Sequence, residues 1–118
     1  VVQKRTLTKT YDVREAEPFA TPEDAWIWYF HCQQARDEGA RFQAGLGDIA
    51  RPCAPDDIAR EVRRLYRRRL LSGGHLRILA RFGAECGVAQ GAGPEAERLW
   101  REALDRLSSP LRAKGIVA

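Results

Sequence analysis

Methionine is absent from this 118-residue chain, and only Lys4, Lys9 and Lys114 are lysines among its 20 basic residues. The initiator residue is expected to have been removed or the chain trimmed. Cysteine is sparse as well. Cys32, Cys53 and Cys86 are far apart and form no CxxC pair, which argues against a dense secreted disulfide scaffold. No apolar run approaches membrane-spanning length, and the opening VVQKRTLTKT has no signal-peptide pattern. A cytoplasmic protein with reduced thiols and no membrane association is therefore expected. His31 and His75 are the only histidines. Among Cys32, Cys53, His75 and Cys86 no pair has the close ligand spacing of known zinc sites, so no zinc site is expected. Nothing in the sequence joins a cysteine to a histidine as a nucleophile pair. His31, beside Cys32, reads as a structural histidine. Asp56-Asp57 is accounted for as a helix cap, and Gly45-Leu46-Gly47 lacks the strand and third glycine of a nucleotide loop. The expectation is a protein that is not an enzyme and carries no cofactor.

What is present is a foldable core and a concentrated positive charge. Hydrophobic residues make up 44% and charged residues 31%, a balance typical of a globular protein and not of a disordered one. The length suits one domain. Residues 1–18 are polar and threonine-rich and read as an N-terminal arm, with Lys4, Arg5 and Lys9 near its start. Residues 19–118 read as a single all-α domain of about four helices.

Thr21-Pro22-Glu23-Asp24 combines a capping residue, a proline at N1 and first-turn acids, so a helix is expected from there to about Glu38, with Gly39 as its stop. Its centre, Ala25-Trp26-Ile27-Trp28-Tyr29-Phe30, is apolar all the way round. Such a helix is central to a core or shared with a partner. Trp26 and Phe30 fall on one side and Trp28 roughly opposite, which makes Trp28 the candidate self-association residue. Residues 40–55 read as a loop pinned by Phe42, Leu46 and Ile49. Pro94 opens a last helix with Ala96, Leu99, Trp100, Ala103 and Leu107 on one side. Pairs such as Arg98/Glu102 stand at i,i+4 on the rest. Pro110 is expected to kink or end it.

The charge sits between Ile58 and Phe82. Arg60, Arg63, Arg64, Arg67, Arg68, Arg69, Arg77 and Arg81 face a single acid, Glu61, giving a local +7 in a chain totalling +4. Ile58, Val62, Leu65, Tyr66 and Arg69 fall in one narrow arc of a helix, with the other arginines of that helix opposite. Because Arg69 lies on the apolar arc, either its stem snorkels or the helix ends before it. Ser72 reads as the N-cap of a second helix, with Leu71 and Leu76 as a hydrophobic staple. Leu76, Leu79 and Phe82 point inward, while Gly74, Arg77 and Arg81 point outward. Gly83 and Gly87 are candidate stops.

The run IAREVRRLYRRRLLSGGHLRILARFG resembles the helix-turn-helix of the DnaA C-terminal, Trp-repressor-like class. The shared outline is an Ile-Ala-Arg helix, then Leu71-Ser72, then a helix closing at Phe82-Gly83, less than a quarter of the chain. The acidic-His-Thr motif that follows in that class is replaced here by Ala84-Glu85-Cys86-Gly87. The resemblance implies contact with duplex DNA without implying that class's base recognition.

A basic helical pair is an electrostatic footprint for nucleic acid. The sequence therefore predicts a small DNA-binding regulator. Its candidate contacts are Arg60, Arg63, Arg64, Arg67, Arg68, Gly74, His75, Arg77 and Arg81. His75 would approach a phosphate or else cover the helix end. The competing expectation is a protein-interaction module that uses the aromatic helix 22–38, with the arginine face meeting an acidic partner or the chain forming a homo-oligomer.

Overall fold

A computed structural model of the protein describes residues 16–38, 49–88 and 91–118. Four helices are described: α1 (Pro22–Glu38), α2 (Pro55–Arg67), α3 (Gly73–Ala84) and α4 (Pro94–Ala113). The all-α class and the number of helices agree with the sequence. Arm residues Lys4, Arg5 and Lys9, the stop at Gly39, and loop residues Phe42 and Leu46 lie outside the described residues.

α1 begins as its capping sequence predicts, with Thr21 Oγ1 accepting the Asp24 N–H at 3.1 Å. The helix has no single apolar stripe because it packs against α2, α3 and α4. Ala25, Trp26 and Ala35 are buried, and Trp28, Tyr29 and Phe30 pack partly buried against the core. The Trp26 ring stacks on Tyr29 at 5.0 Å and meets Phe30 edge-on at 5.2 Å. Trp28 lies on another side, 5.2 Å from the Phe19 ring. Phe19 is held by the C-terminal tail: its N–H donates to Ile116 O and its carbonyl accepts from Ala118 N, both at 2.9 Å. Ile116 and Val117 are thereby buried. The tail docks instead of fraying.

The second layer of the core comes from α4, whose Trp100, Ala103, Leu107 and Leu111 are buried against α3, α2 and α1. α4 runs through Pro110 to Ala113 without ending there. The lost proline N–H falls in the last turn, where the helix is soon closed by other bonds.

Those bonds follow one pattern at the ends of α2, α3 and α4. In each, a left-handed residue one place beyond the C-cap lets the next N–H reach back five residues, a Schellman closure. Ile116 N bonds Leu111 O at 2.9 Å, Leu70 N bonds Leu65 O at 2.9 Å, and Gly87 N bonds Phe82 O at 2.8 Å. The left-handed residues are Gly115 (φ 76°), Arg69 (φ 63°) and Cys86 (φ 61°). Of the two outcomes open for Arg69, the helix ends before it.

Gly83 is not a stop. It is buried inside α3, where the helix crosses α1. A β-carbon at Gly83 would stand 2.6 Å from Phe30 Cδ2 and 2.9 Å from Trp26 Nε1. The close approach lets the Trp26 indole N–H donate to Leu79 O at 2.8 Å. Ile49 is also unlike its expectation: it is exposed and does not pin the loop.

Candidate nucleic-acid interface

α2 owes its direction to both ends of its sequence. Ala54 supplies no capping side chain, so Asp57 turns back and accepts the Ala54 N–H at 2.8 Å. Ile58, Ala59, Val62 and Leu65 are buried, which fixes the opposite side in solvent. Arg60, Arg63, Arg64, Arg67 and Arg68 are all exposed there. Two of them touch acids. Arg60 Nη1 lies 3.0 Å from Asp57, and Arg64 Nη1 lies 3.7 Å from Glu61. No ion pair is recorded for Arg63, Arg67 or Arg68 among the described residues.

Glu61 itself is 1% exposed, and neither carboxylate oxygen has a hydrogen-bond donor. Its charge is balanced at longer range by Arg64 and by Lys114 Nζ at 3.4 Å. The single acid of the basic block is thus turned into the protein, while Asp56 and Asp57 stand at the start of α2.

α3 starts as a reciprocal cap. Ser72 Oγ accepts the His75 N–H at 3.2 Å, and His75 Nδ1 accepts the Ser72 N–H at 3.0 Å. With Nδ1 an acceptor, the ring proton belongs on Nε2, which donates to Glu102 Oε1 at 2.9 Å. The hydrogen bond from His75, aided by the Arg98 guanidinium, holds the Glu102 carboxyl below its ordinary range. Both nitrogens of a ring that is only 5% exposed are engaged. His75 covers the helix end and ties it to α4, and it does not stand at the surface as a phosphate contact. Gly74 is half-covered, its β-carbon direction leading toward Leu99 and Arg77.

Gly73, Arg77, Ala80, Arg81 and Ala84 are exposed and fall within an arc of about 100° on α3. Apart from the two arginines this stripe carries only small residues, so a groove edge can approach its backbone closely. Arg81 lies over the Phe82 ring at 5.5 Å, which keeps its guanidinium near the helix. Between α2 and α3, Val62, Arg63, Tyr66, Arg67 and Leu76 line a small slot of about 170 Å³. Tyr66, in the slot, is 49% exposed, and Leu70, beyond the end of α2, is 48% exposed.

The self-association candidate is placed elsewhere. Trp28 is half-buried in an open groove with Phe19, Ile27, His31, Ile49 and Arg51. The Arg51 guanidinium covers the other rim of that groove, 4.1 Å above the Phe19 ring. The structure therefore separates the Trp28 groove from the slot formed by α2 and α3.

Two further features were not foreseen in the sequence. One is the slot with its exposed Tyr66, because the periodicity of α2 assigned Tyr66 to the apolar arc. The other is a meeting of His31 and Cys86, whose Nε2 and Sγ stand 3.2 Å apart. Their separation of 55 residues leaves no local signal. All three cysteines are free thiols. Burial raises the Cys32 thiol and pushes Cys53 up to about 11, with Asp57 and then Cys32 adding to the effect. Among the described residues no group of three possible metal ligands comes together, and no helix is long and apolar enough to cross a membrane.

No family model, curated protein or solved structure gives a significant match to this chain.

Proposed function

We propose that the protein binds duplex DNA, with α2 contacting the phosphate backbone and the exposed stripe of α3 facing a groove. The observation that carries this reading is the segregation of charge. Four exposed arginines lie along α2 and a fifth, Arg68, caps it, while the only acid between Ile58 and Phe82 is buried. Guanidinium groups on a fixed helix displace condensed counterions when they meet phosphates, which supplies affinity without sequence preference. On α3, Arg77 and Arg81 stand at i,i+4 among Gly73, Ala80 and Ala84. That arrangement offers two forks for guanine edges with little bulk to hold the helix away. A small regulator of transcription is the role that fits such a surface.

The test is fluorescence anisotropy of a labelled random-sequence duplex, titrated with the protein at low salt. Association that weakens steeply as salt is added is the expected result. No association at low salt would overturn the proposal.

A second reading has its own observation. Tyr66 and Leu70 are exposed beside the arginines, a mixture of apolar and basic groups suited to an acidic protein partner. Replacing Tyr66 with serine separates the two. Protein binding would weaken, whereas phosphate contacts through Arg63, Arg67 and Arg68 would remain.

A further inference from the structure

The crossing of α1 and α3 brings His31 to Cys86. The crossing is tight because Gly83 lacks a side chain, and the Trp26 indole bond to Leu79 O fixes its register. Cys86 then follows α3 in a left-handed conformation, with the Phe82 carbonyl holding the next N–H at 2.8 Å. The thiol is therefore carried by backbone that the folded core defines, and it is exposed to solvent. His31 Nε2 stands 3.2 Å from its sulfur, within hydrogen-bond range.

The other charges around the thiol are mostly acidic. Glu85 is the preceding residue, and Glu23 Oε2 lies 3.8 Å from the β-carbon direction of Gly87. The end of α3 contributes partial negative charge as well. On the far side of His31, Asp24 and Arg51 line the same groove. The acids are not proton acceptors of the right strength for a thiol, and the His31 imidazole at 3.2 Å is the base within reach of the sulfur.

We propose that Cys86, with His31 as proton acceptor, is a site of thiol–disulfide exchange with low-molecular-weight disulfides. His31 Nε2 takes the Sγ proton as the sulfur attacks one sulfur of the disulfide. A new S–S bond forms to Cys86, and the bond within the reagent breaks. The departing sulfur leaves with the electron pair and recovers the proton from the imidazolium, so the products are a mixed disulfide and one free thiol. Cys32 and Cys53 do not compete, because their burial keeps them as thiols.

The experiment incubates the intact, folded protein with oxidised glutathione and follows the adduct by mass spectrometry and peptide mapping. One adduct is expected, on Cys86, with Cys32 and Cys53 reacting only after unfolding. His31→Gln, checked for native circular dichroism, should slow the reaction about tenfold. That is less than the roughly 100-fold or more of enclosed general bases, because this thiol is open to water. The pH profile gives a readout that a packing role for His31 would not move. The advantage of the native protein over His31→Gln should vanish once the imidazole is protonated. If the variant does not fold, the same loss should be seen in the native protein measured against its urea-unfolded form. Equal reaction of all three cysteines in the native state would overturn the proposal. So would a Cys86 rate that His31 does not affect at any pH.

Discussion

Gly83→Ala sets two effects of opposite sign against each other. In an open helix the change would gain about 1 kcal/mol, because alanine is the better helix former. Here the new methyl would lie 2.6 Å and 2.7 Å from two carbons of Phe30 and 2.9 Å from the Trp26 indole nitrogen. These are ring atoms packed against the core, so the helices must part or the rings must turn. Overpacking of this kind costs about 1–3 kcal/mol. If the shift also breaks the bond from Trp26 to Leu79 O, a further loss of about 0.5–1.5 kcal/mol follows. The net expectation is a destabilisation of about 1–3 kcal/mol, or roughly 4–12 °C in Tm for a chain of this size. Urea and thermal unfolding followed by circular dichroism measure it. Combining Gly83→Ala with Phe30→Leu should cost less than the sum of the two alone, since the smaller side chain gives the methyl room. A Gly83→Ala protein as stable as the original, or more so, would refute the close crossing of α1 and α3.

Arg69→Gly should stabilise the fold by about 0.5–1 kcal/mol, because Arg69 closes α2 at φ 63°, where glycine is unstrained. A lower urea midpoint for this variant would contradict the Schellman closure. Lys114→Met should destabilise by about 1–2 kcal/mol, less than the cost of breaking a fully buried pair, because Lys114 is 46% exposed while Glu61 is 1% exposed. Adding Glu61→Leu should recover most of that loss, and failure to recover it would mean that the pair is not coupled. For Glu102, the folded protein holds the carboxyl below its ordinary range through His75 and then Arg98. Its contribution to stability is complete above the ordinary glutamate value, about 4.3, and is lost as pH falls through the folded value. Urea midpoints measured from pH 7 to pH 3 should therefore fall less steeply for Glu102→Gln, and an identical acid limb would contradict the contact.

The helices were legible where local chemistry is self-sufficient. Thr21-Pro22-Glu23-Asp24 and Ser72 carry their caps within four residues, and Ile58, Val62 and Leu65 carry their face in their spacing. The ends were less legible. Glycine announces a left-handed position at Gly115, but Arg69 and Cys86 adopt the same conformation because the next N–H finds its carbonyl there. Gly83 looked like a stop for the opposite reason. Its value lies in a contact with α1, more than fifty residues away, which no window along the sequence contains. In the candidate site, the arginines of α2 were readable from periodicity, as was the outward direction of Arg77 and Arg81. The burial of Glu61 under Lys114 was not, nor was the capture of His75 by Glu102, because both partners come from α4 or the tail beyond it. Of the two outcomes open for Pro110, ending the helix does not occur, because a proline in a final turn sacrifices little of the helix that precedes it.

The proposed DNA contact is tested most directly by the salt dependence of duplex binding, compared between the original protein and Arg63→Ala/Arg67→Ala/Arg68→Ala. These three exposed arginines have no recorded ion pair among the described residues, so removing them should leave the fold intact. Each phosphate contact contributes about −0.9 to the slope of log K against log salt. Binding at low salt is expected, with a slope that becomes shallower by about three units in the triple variant. Equal slopes and equal affinities for the two proteins would rule out these arginines as the phosphate contacts.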